Sequence, residues 1–299
     1  MWLLLAFVSA ALLGFYDVCK KRALANNSVL IVLFLNTLFS SLIFLPFILG
    51  SLPTASPLTG TLLEVPVQPL SAHAYVLLKS GIVLTSWIFG YYGMKYLPIT
   101  IVGPINATRP VMVLVGAMLL FGERLNLLQW VGVLLAIFSF FMLSRSGKKE
   151  GIDFKHNKWI FFVVLAAVMG AISGLYDKFL MQRLNPFFVQ SWFTLYQVLL
   201  MGPILLLLWW PQRNKTTPFQ WRWSILFISI FLSAADFAYF YALSLDGALI
   251  SVISMVRRGS VVVSFLFGAL LFREKNLKSK ALDLLFVLMG LFFLYIGSK

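Results

Sequence analysis

Arg109, Arg257, Arg258 and Asp236 are charged residues set in the middle of long apolar runs. An arginine or lysine near the centre of a membrane helix costs roughly 2.5–3.5 kcal/mol on insertion scales, so such side chains face a cavity or a partner. Together they describe a basic pocket at membrane depth, suited to an anionic or zwitterionic metabolite. Asp236 would bind an amine or carry a proton. The alternative is structural, with Asp236 forming a buried ion pair with one of the arginines. Arg258 follows Arg257 at about 100° around a helix, which predicts that the two do not share one face.

Other residue types fit the same pocket. Asn106 stands between Gly103, Pro104 and Pro110, and prolines remove backbone donors and loosen a helix. Gly247, Ser251, Ser254, Gly259 and Ser260 give the corresponding stretch around Arg257 a similar looseness. Interrupted helices in matching places mark binding sites, although small residues also serve close helix packing. Trp87, Tyr91, Tyr92, Tyr239 and Tyr241 could wall a site for an organic substrate or sit in an interfacial aromatic belt. Tyr16 and Asp17, with their echo Tyr176 and Asp177, fall toward the ends of apolar runs. They read as a gate or a helix-to-helix lock, against ordinary snorkelling of charged ends. Glu123 and Glu274 read as turn caps or partners of Arg124 and Lys275.

The composition names the solvent. Hydrophobic residues make up 61% of the 299, and only 11% are charged, against about 25% in soluble domains. So little polar surface cannot cover a water-facing globule of this size, and the chain reads as an integral membrane protein. One cysteine, Cys19, excludes an intrachain disulfide. Two distant histidines, His73 and His156, offer no metal centre or triad, and no phosphate loop or nucleophile elbow is present, so neither cofactor nor metal is expected. The net charge of +14 is spread through loops between apolar runs, which fits membrane orientation and argues against nucleic acid.

About twenty apolar residues span a bilayer. Ten such spans are expected, near 2–22, 28–50, 74–96, 99–121, 125–144, 158–180, 186–210, 223–245, 247–272 and 280–297. The first reads as a retained helix rather than a cleaved signal, because it lacks a basic start. Residues 51–72, with Pro53, Pro57, Pro66 and Pro69, form a long loop. The chain repeats itself: Gly14-Phe15-Tyr16-Asp17 returns as Gly174-Leu175-Tyr176-Asp177, and Phe89, Tyr91, Tyr92, Leu97 and Arg109 return as Phe237, Tyr239, Phe240, Leu245 and Arg257. Two five-helix halves are expected, 1–144 and 158–299, joined by a basic linker at 145–157. An odd number of spans per half makes the second enter from the opposite face, giving an inverted repeat. Lys20, Lys21, Arg22, Lys95, the linker lysines, Arg213, Lys215, Arg222, Arg273, Lys275, Lys278 and Lys280 crowd the odd-numbered loops, which the positive-inside rule puts in the cytoplasm, with the termini outside.

In Gly14 to Lys21 and its copy, and in Tyr91-Tyr92-Gly93-Met94-Lys95-Tyr96-Leu97-Pro98, Arg109-Pro110 and Gly122-Glu123-Arg124-Leu125, the chain resembles the drug/metabolite transporter superfamily in its ten-helix, EamA-type form. The resemblance runs over nearly the whole chain. Arg258 stands where the second half would carry the pattern's proline. The resemblance implies a multi-pass transporter of small metabolites, often an exporter, in a bacterial cytoplasmic membrane. It also implies cytoplasmic termini, opposite to the charge count.

The leading expectation is therefore an all-α polytopic membrane protein. It acts as a secondary transporter of a small anionic or zwitterionic, amino-acid-like metabolite by alternating access, without enzymatic activity. Its partners are that substrate, membrane lipid and a coupling proton. Oligomeric state is left open. A lipid-modifying membrane enzyme would need a polar catalytic cluster at an interface, and His73 alone does not supply one. A structural subunit would gain little from duplicated central arginines.

Overall fold

The structure is a computed structural model. It describes residues 2–51, 58, 61, 63–109, 111–113, 115, 116, 126–128, 130–132, 134, 135, 138, 142, 156–245, 253, 256–272 and 277–297. Pro53, Pro57, Pro110, the 122–125 and 145–155 stretches, Gly247, Ser251, Ser254 and Arg273 to Lys275 lie outside the described residues, so the readings made on them are not taken further.

Nine helices are described in full: α1 (Trp2–Leu24), α2 (Val29–Gly50), α3 (Leu70–Tyr96), α4 (Ile99–Ala107), α5 (Lys158–Met181), α6 (Pro186–Ile204), α7 (Trp223–Ser244), α8 (Ser260–Leu271) and α9 (Leu277–Gly297). The described residues contain no strand. Among the described residues, six helices are long and apolar enough to cross a membrane: α1, α2, α3, α5, α6 with its continuation to Gln212, and α7. Each is apolar on nearly every side. The inward faces pack on neighbours, while Leu4, Leu42, Leu78, Phe161, Leu199, Leu207 and Phe292 point outward and are exposed. In water that outer surface would be an unstable patch; against lipid it is the natural coat, with every backbone bond satisfied inside its own helix. The chain is an integral, multi-pass membrane protein.

Local chemistry sets the helix ends. Asn26 takes a left-handed φ of 50° just after α1, a conformation asparagine tolerates better than most residues. Asn27 then turns back, its amide donating to Ala23 O at 3.0 Å. Asn185 caps α6 by accepting from Phe187 N at 2.8 Å and Phe188 N at 3.1 Å, and Pro186 fills the first helical position, where no N–H is needed. Beyond Pro203, α6 loosens into a π-turn at Leu205–Trp209 and a 3-10 turn at Trp210–Gln212. A turn at Thr108 breaks the chain after α4, and one at Gly259 breaks it before α8.

The bundle is built from antiparallel pairs. α1 packs along α7, α3 along α5, and α2 along α6. Side chains stitch the helices by bonding backbone across the contacts: Ser9 Oγ to Ala235 O between α1 and α7 and Ser86 Oγ to Ala166 O between α3 and α5, both at 2.7 Å, and Gln190 Nε2 to Ser233 O at 3.0 Å between α6 and α7. Such bonds contribute on average about 0.6 kcal/mol each between membrane helices. Gly14 lies against Val263 of α8, so close that a Cβ would stand 2.7 Å from Val263 Cγ1. Its echo Gly174 faces Val113, whose Cγ2 would lie 3.7 Å from a Cβ there.

One end of the bundle is tied shut. Lys95 Nζ donates to Asn27 O at 2.9 Å and to Thr217 Oγ1 at 2.7 Å. Asn27 exchanges bonds with Gln220, donating to its carbonyl at 2.7 Å and accepting from its N–H at 2.9 Å. Lys21 holds the carbonyls of Met94 and Leu97, and Arg222 Nη1 holds Arg22 O at 2.7 Å. The α1–α2 turn, the end of α3 and the loop before α7 therefore meet at the same end. Beneath them lies a sealed apolar layer that includes Leu24, Leu33, Met94, Leu97, Ile101 and Ile160.

Candidate functional site

Behind that layer, between α1, α3, α5 and α7, lies a cavity of about 170 Å³. That is below the roughly 300–1,000 Å³ of drug-sized pockets, which restricts an occupant to a small molecule. Arg109, Arg257, Arg258, Asp236, Asn106, Trp87, Tyr91 and Tyr239 all line it. Tyr16, Asp17 and Asp177, expected near helix ends, line it too. Asp236 is therefore one of three cavity carboxylates rather than the single central acid that the sequence suggested.

Each acid has a basic partner. Asp17 accepts from Lys20 Nζ at 2.6 Å, one turn along α1. Asp177 on α5 is paired with Lys79 on α3, both buried. Asp236 on α7 is paired with Arg257 Nη2, whose Nε also donates to Ser9 Oγ at 3.1 Å. The Arg257 guanidinium sits 4.1 Å from the Tyr239 ring centroid, and Lys20 Nζ sits 4.2 Å from that of Tyr16. A cation over an aromatic face gains roughly 0.5–2 kcal/mol, more when water is excluded. These pairs tie α1 to itself, α3 to α5, and α7 to the segment before α8.

Arg109 and Arg258 differ. No described carboxylate pairs with either, and the Nε of each is buried without a hydrogen-bond partner among the described residues. Arg109 Nη2 donates to Asn106 Oδ1 at 3.1 Å, which orients the guanidinium from one turn away. The other side rests on Gly170 of α5: a Cβ there would stand 2.6 Å from Cζ and Nη1. Glycine is the residue that leaves room for this side chain.

Two expectations change here. Arg257 and Arg258 were expected on different faces, yet both reach the cavity. The turn at Gly259, with its N–H bonded to Val256 O at 2.9 Å, interrupts the helix just after them, and both side chains are long. Tyr176 was grouped with Asp177, but it leaves the site. Its ring stacks on Phe179 at 5.6 Å and its hydroxyl donates to Tyr75 O at 3.3 Å, on an exposed face. Neighbours on a helix point about 100° apart, which sends Tyr176 out as Asp177 goes in. Tyr92 stacks on Trp159 at 6.1 Å, away from the cavity lining.

The sequence reading missed Lys79. It lies inside the α3 apolar run and carries the same insertion cost that singled out the arginines, so the signal was available. It has no basic counterpart in the second copy, where Phe227 stands at the matching place, so a search for duplicated charges passes it by. Lys20 was read as an interfacial end, but its head turns inward to Asp17.

The EamA-like transporter family model matches residues 1–145 and again 157–296. The chain belongs to the EamA-like transporter family. An uncharacterized transporter of Archaeoglobus fulgidus is 24% identical over 186 residues, which is 61% of this chain and 60% of that protein. The match thus spans somewhat less than two thirds of the relative. A crystal structure described only as that of a protein superposes with a TM-score of 0.66 over 98% of this chain and 96% of its own, at 14% identity, a likeness of fold.

Proposed function

We propose that the cavity is the substrate site of a secondary transporter for a small anionic or zwitterionic organic metabolite, amino-acid-like in size and charge. One observation carries the reading. Five basic side chains (Lys20, Lys79, Arg109, Arg257, Arg258) and three acidic ones (Asp17, Asp177, Asp236) line the cavity, and three ion pairs use all the acids. Two guanidiniums remain, each with its Nε buried and without a hydrogen-bond partner among the described residues. Guanidinium forks bind carboxylates in two-point fashion. Leaving them uncompensated at membrane depth is costly unless an anion completes the site. Trp87, Tyr91 and Tyr239 give the organic body of the substrate its apolar walls.

Alternating access between two inverted five-helix halves, 1–144 and 158–299 around the 145–157 linker, is the transport cycle we propose. Several pairings support it. The repeated Gly14 and Gly174 each meet a valine contributed by the other half, Val263 and Val113. Arg109 rests on α5 at Gly170, and Arg257 reaches α1 at Ser9. Each half thus hands its arginine to the first helix of the other. The family model matching twice is consistent with the same division. The basic, tied end is assigned to the cytoplasm by the positive-inside rule, and export is the direction the family resemblance implies. Asp236 is held by Arg257, which favours its structural role over proton carriage.

The test is transport by full-length protein in liposomes, using a panel of amino acids and small carboxylates. Arg109→Gln and Arg258→Gln should each weaken apparent affinity by about 10- to 100-fold, the range expected for losing a charged hydrogen bond of roughly 1.5–3 kcal/mol.

A further inference from the structure

A second space lies toward the untied end of the bundle. It holds about 160 Å³ and is lined by Asn185, Gln190, Phe237, Phe240, Tyr241 and Ser244, among others. These come from the start of α6 and the end of α7. Among the described residues no charged side chain belongs to its lining; the walls are mainly aromatic rings, amides and hydroxyls. Phe240 is the residue that lines both this space and the central cavity, and it is only 3% exposed. On the cavity side of its ring sits Lys79, whose Nζ is 4.9 Å from the ring centroids of both Phe240 and Phe193. The same ammonium is the partner of Asp177.

Resting on the transport reading above, we propose that this second space is an outer binding station for the same substrate, and that Phe240, braced by Lys79, is the gate between the two. The station holds the organic body of the substrate by ring contacts and by neutral hydrogen bonds. Its lack of charge is what a transit site needs, because a strong counter-ion there would trap the anion on its way through. The gate responds to charge. A substrate carboxylate approaching from Arg109 or Arg258 competes with Asp177 for the Lys79 ammonium. When Lys79 turns to it, the cation leaves the Phe240 face and the ring loses one of the contacts that hold it. The opposite end offers no comparable thin wall, since the tied turns and the apolar layer seal it.

Thiol access tests the gate without needing the substrate. In a Cys19→Ser background, Ser244→Cys reports the outer station and Ser173→Cys reports the central cavity. A membrane-impermeant methanethiosulfonate reagent is added to intact cells expressing the full chain. Ser244→Cys should react quickly whatever stands at 240. Ser173→Cys should react slowly with Phe240 in place and at least tenfold faster with Phe240→Ala; where the alanine variant does not fold, Phe240→Leu gives the same comparison. Equal rates at Ser173→Cys with and without the ring would overturn the gate. Slow reaction at Ser244→Cys in all backgrounds would overturn the outer station. Transport by Arg109→Gln separates this from the parent reading. Unimpaired transport there removes the central anion site, while the thiol rates still report on Phe240.

Discussion

The guanidinium of Arg109 lies against the bare backbone of Gly170, with no room for even a methyl group between them. A glycine inside a helix costs about 0.5–1 kcal/mol relative to alanine, so its presence mid-way along α5 has a packing reason. That relation makes the position of one cavity cation depend on a residue of α5.

Gly170→Ala follows directly. The added Cβ would sit 2.6 Å from Cζ and 2.9 Å from Nε of Arg109. The clash falls on the far end of a long side chain, which can move, so folding should change by less than about 1 kcal/mol. The guanidinium should leave its seat beside Asn106. Transport should drop about tenfold or more while the melting temperature in detergent stays within a few degrees. An unchanged transport rate would detach Arg109 from the function.

Arg257 should behave differently from Arg109. Removing it strands Asp236; breaking a fully buried pair from one side costs roughly 3–5 kcal/mol, an upper bound for this partly buried one. Arg257→Gln alone should therefore lower the yield of folded protein sharply. Adding Asp236→Asn should restore much of it, because no lone charge then remains. A double variant no better folded than the single one would mean that Asp236 is not the structural partner.

At the tied end, Asn27→Ala removes four side-chain bonds: to Ala23 O and Gln220 O, and from Ser28 N and Gln220 N. At about 0.5–1.5 kcal/mol each, their loss should shift the balance toward opening at this end. With Val83→Cys as a cavity reporter in the Cys19→Ser background, inside-out vesicles should show thiol labelling at least tenfold faster. Labelling that stays slow would place the seal elsewhere.

Much of the architecture could be read from hydrophobicity alone. The apolar runs at 2–22, 28–50, 158–180 and 223–245 match α1, α2, α5 and α7 within two residues at each end, because in lipid an apolar run has few choices besides a helix. α3 begins earlier than its apolar core, at Leu70, since the helix continues beyond the hydrocarbon-like stretch. The site was legible where charge sat deep in an apolar run, as with Arg109, Arg257, Arg258 and Asp236. Distance from a helix end was a poor guide to depth: Asp17 and Asp177 face inward because helical phase, not sequence position, decides direction. Which cations pair, and which two stay free, depends on helices far apart in sequence. Lys79 and Asp177 meet across α3 and α5, and nothing in either local sequence announces the other.

Exchange in liposomes tests the central claim most directly. Full-length protein loaded with one candidate solute is assayed for counterflow of the same solute labelled outside, across anionic, zwitterionic, neutral and cationic metabolites. An anion or zwitterion should exchange, with Arg109→Gln and Arg258→Gln each weakening half-saturation by about 10- to 100-fold and leaving the folded yield intact. Exchange confined to neutral or cationic solutes, or wild-type exchange by both glutamine variants, would contradict it.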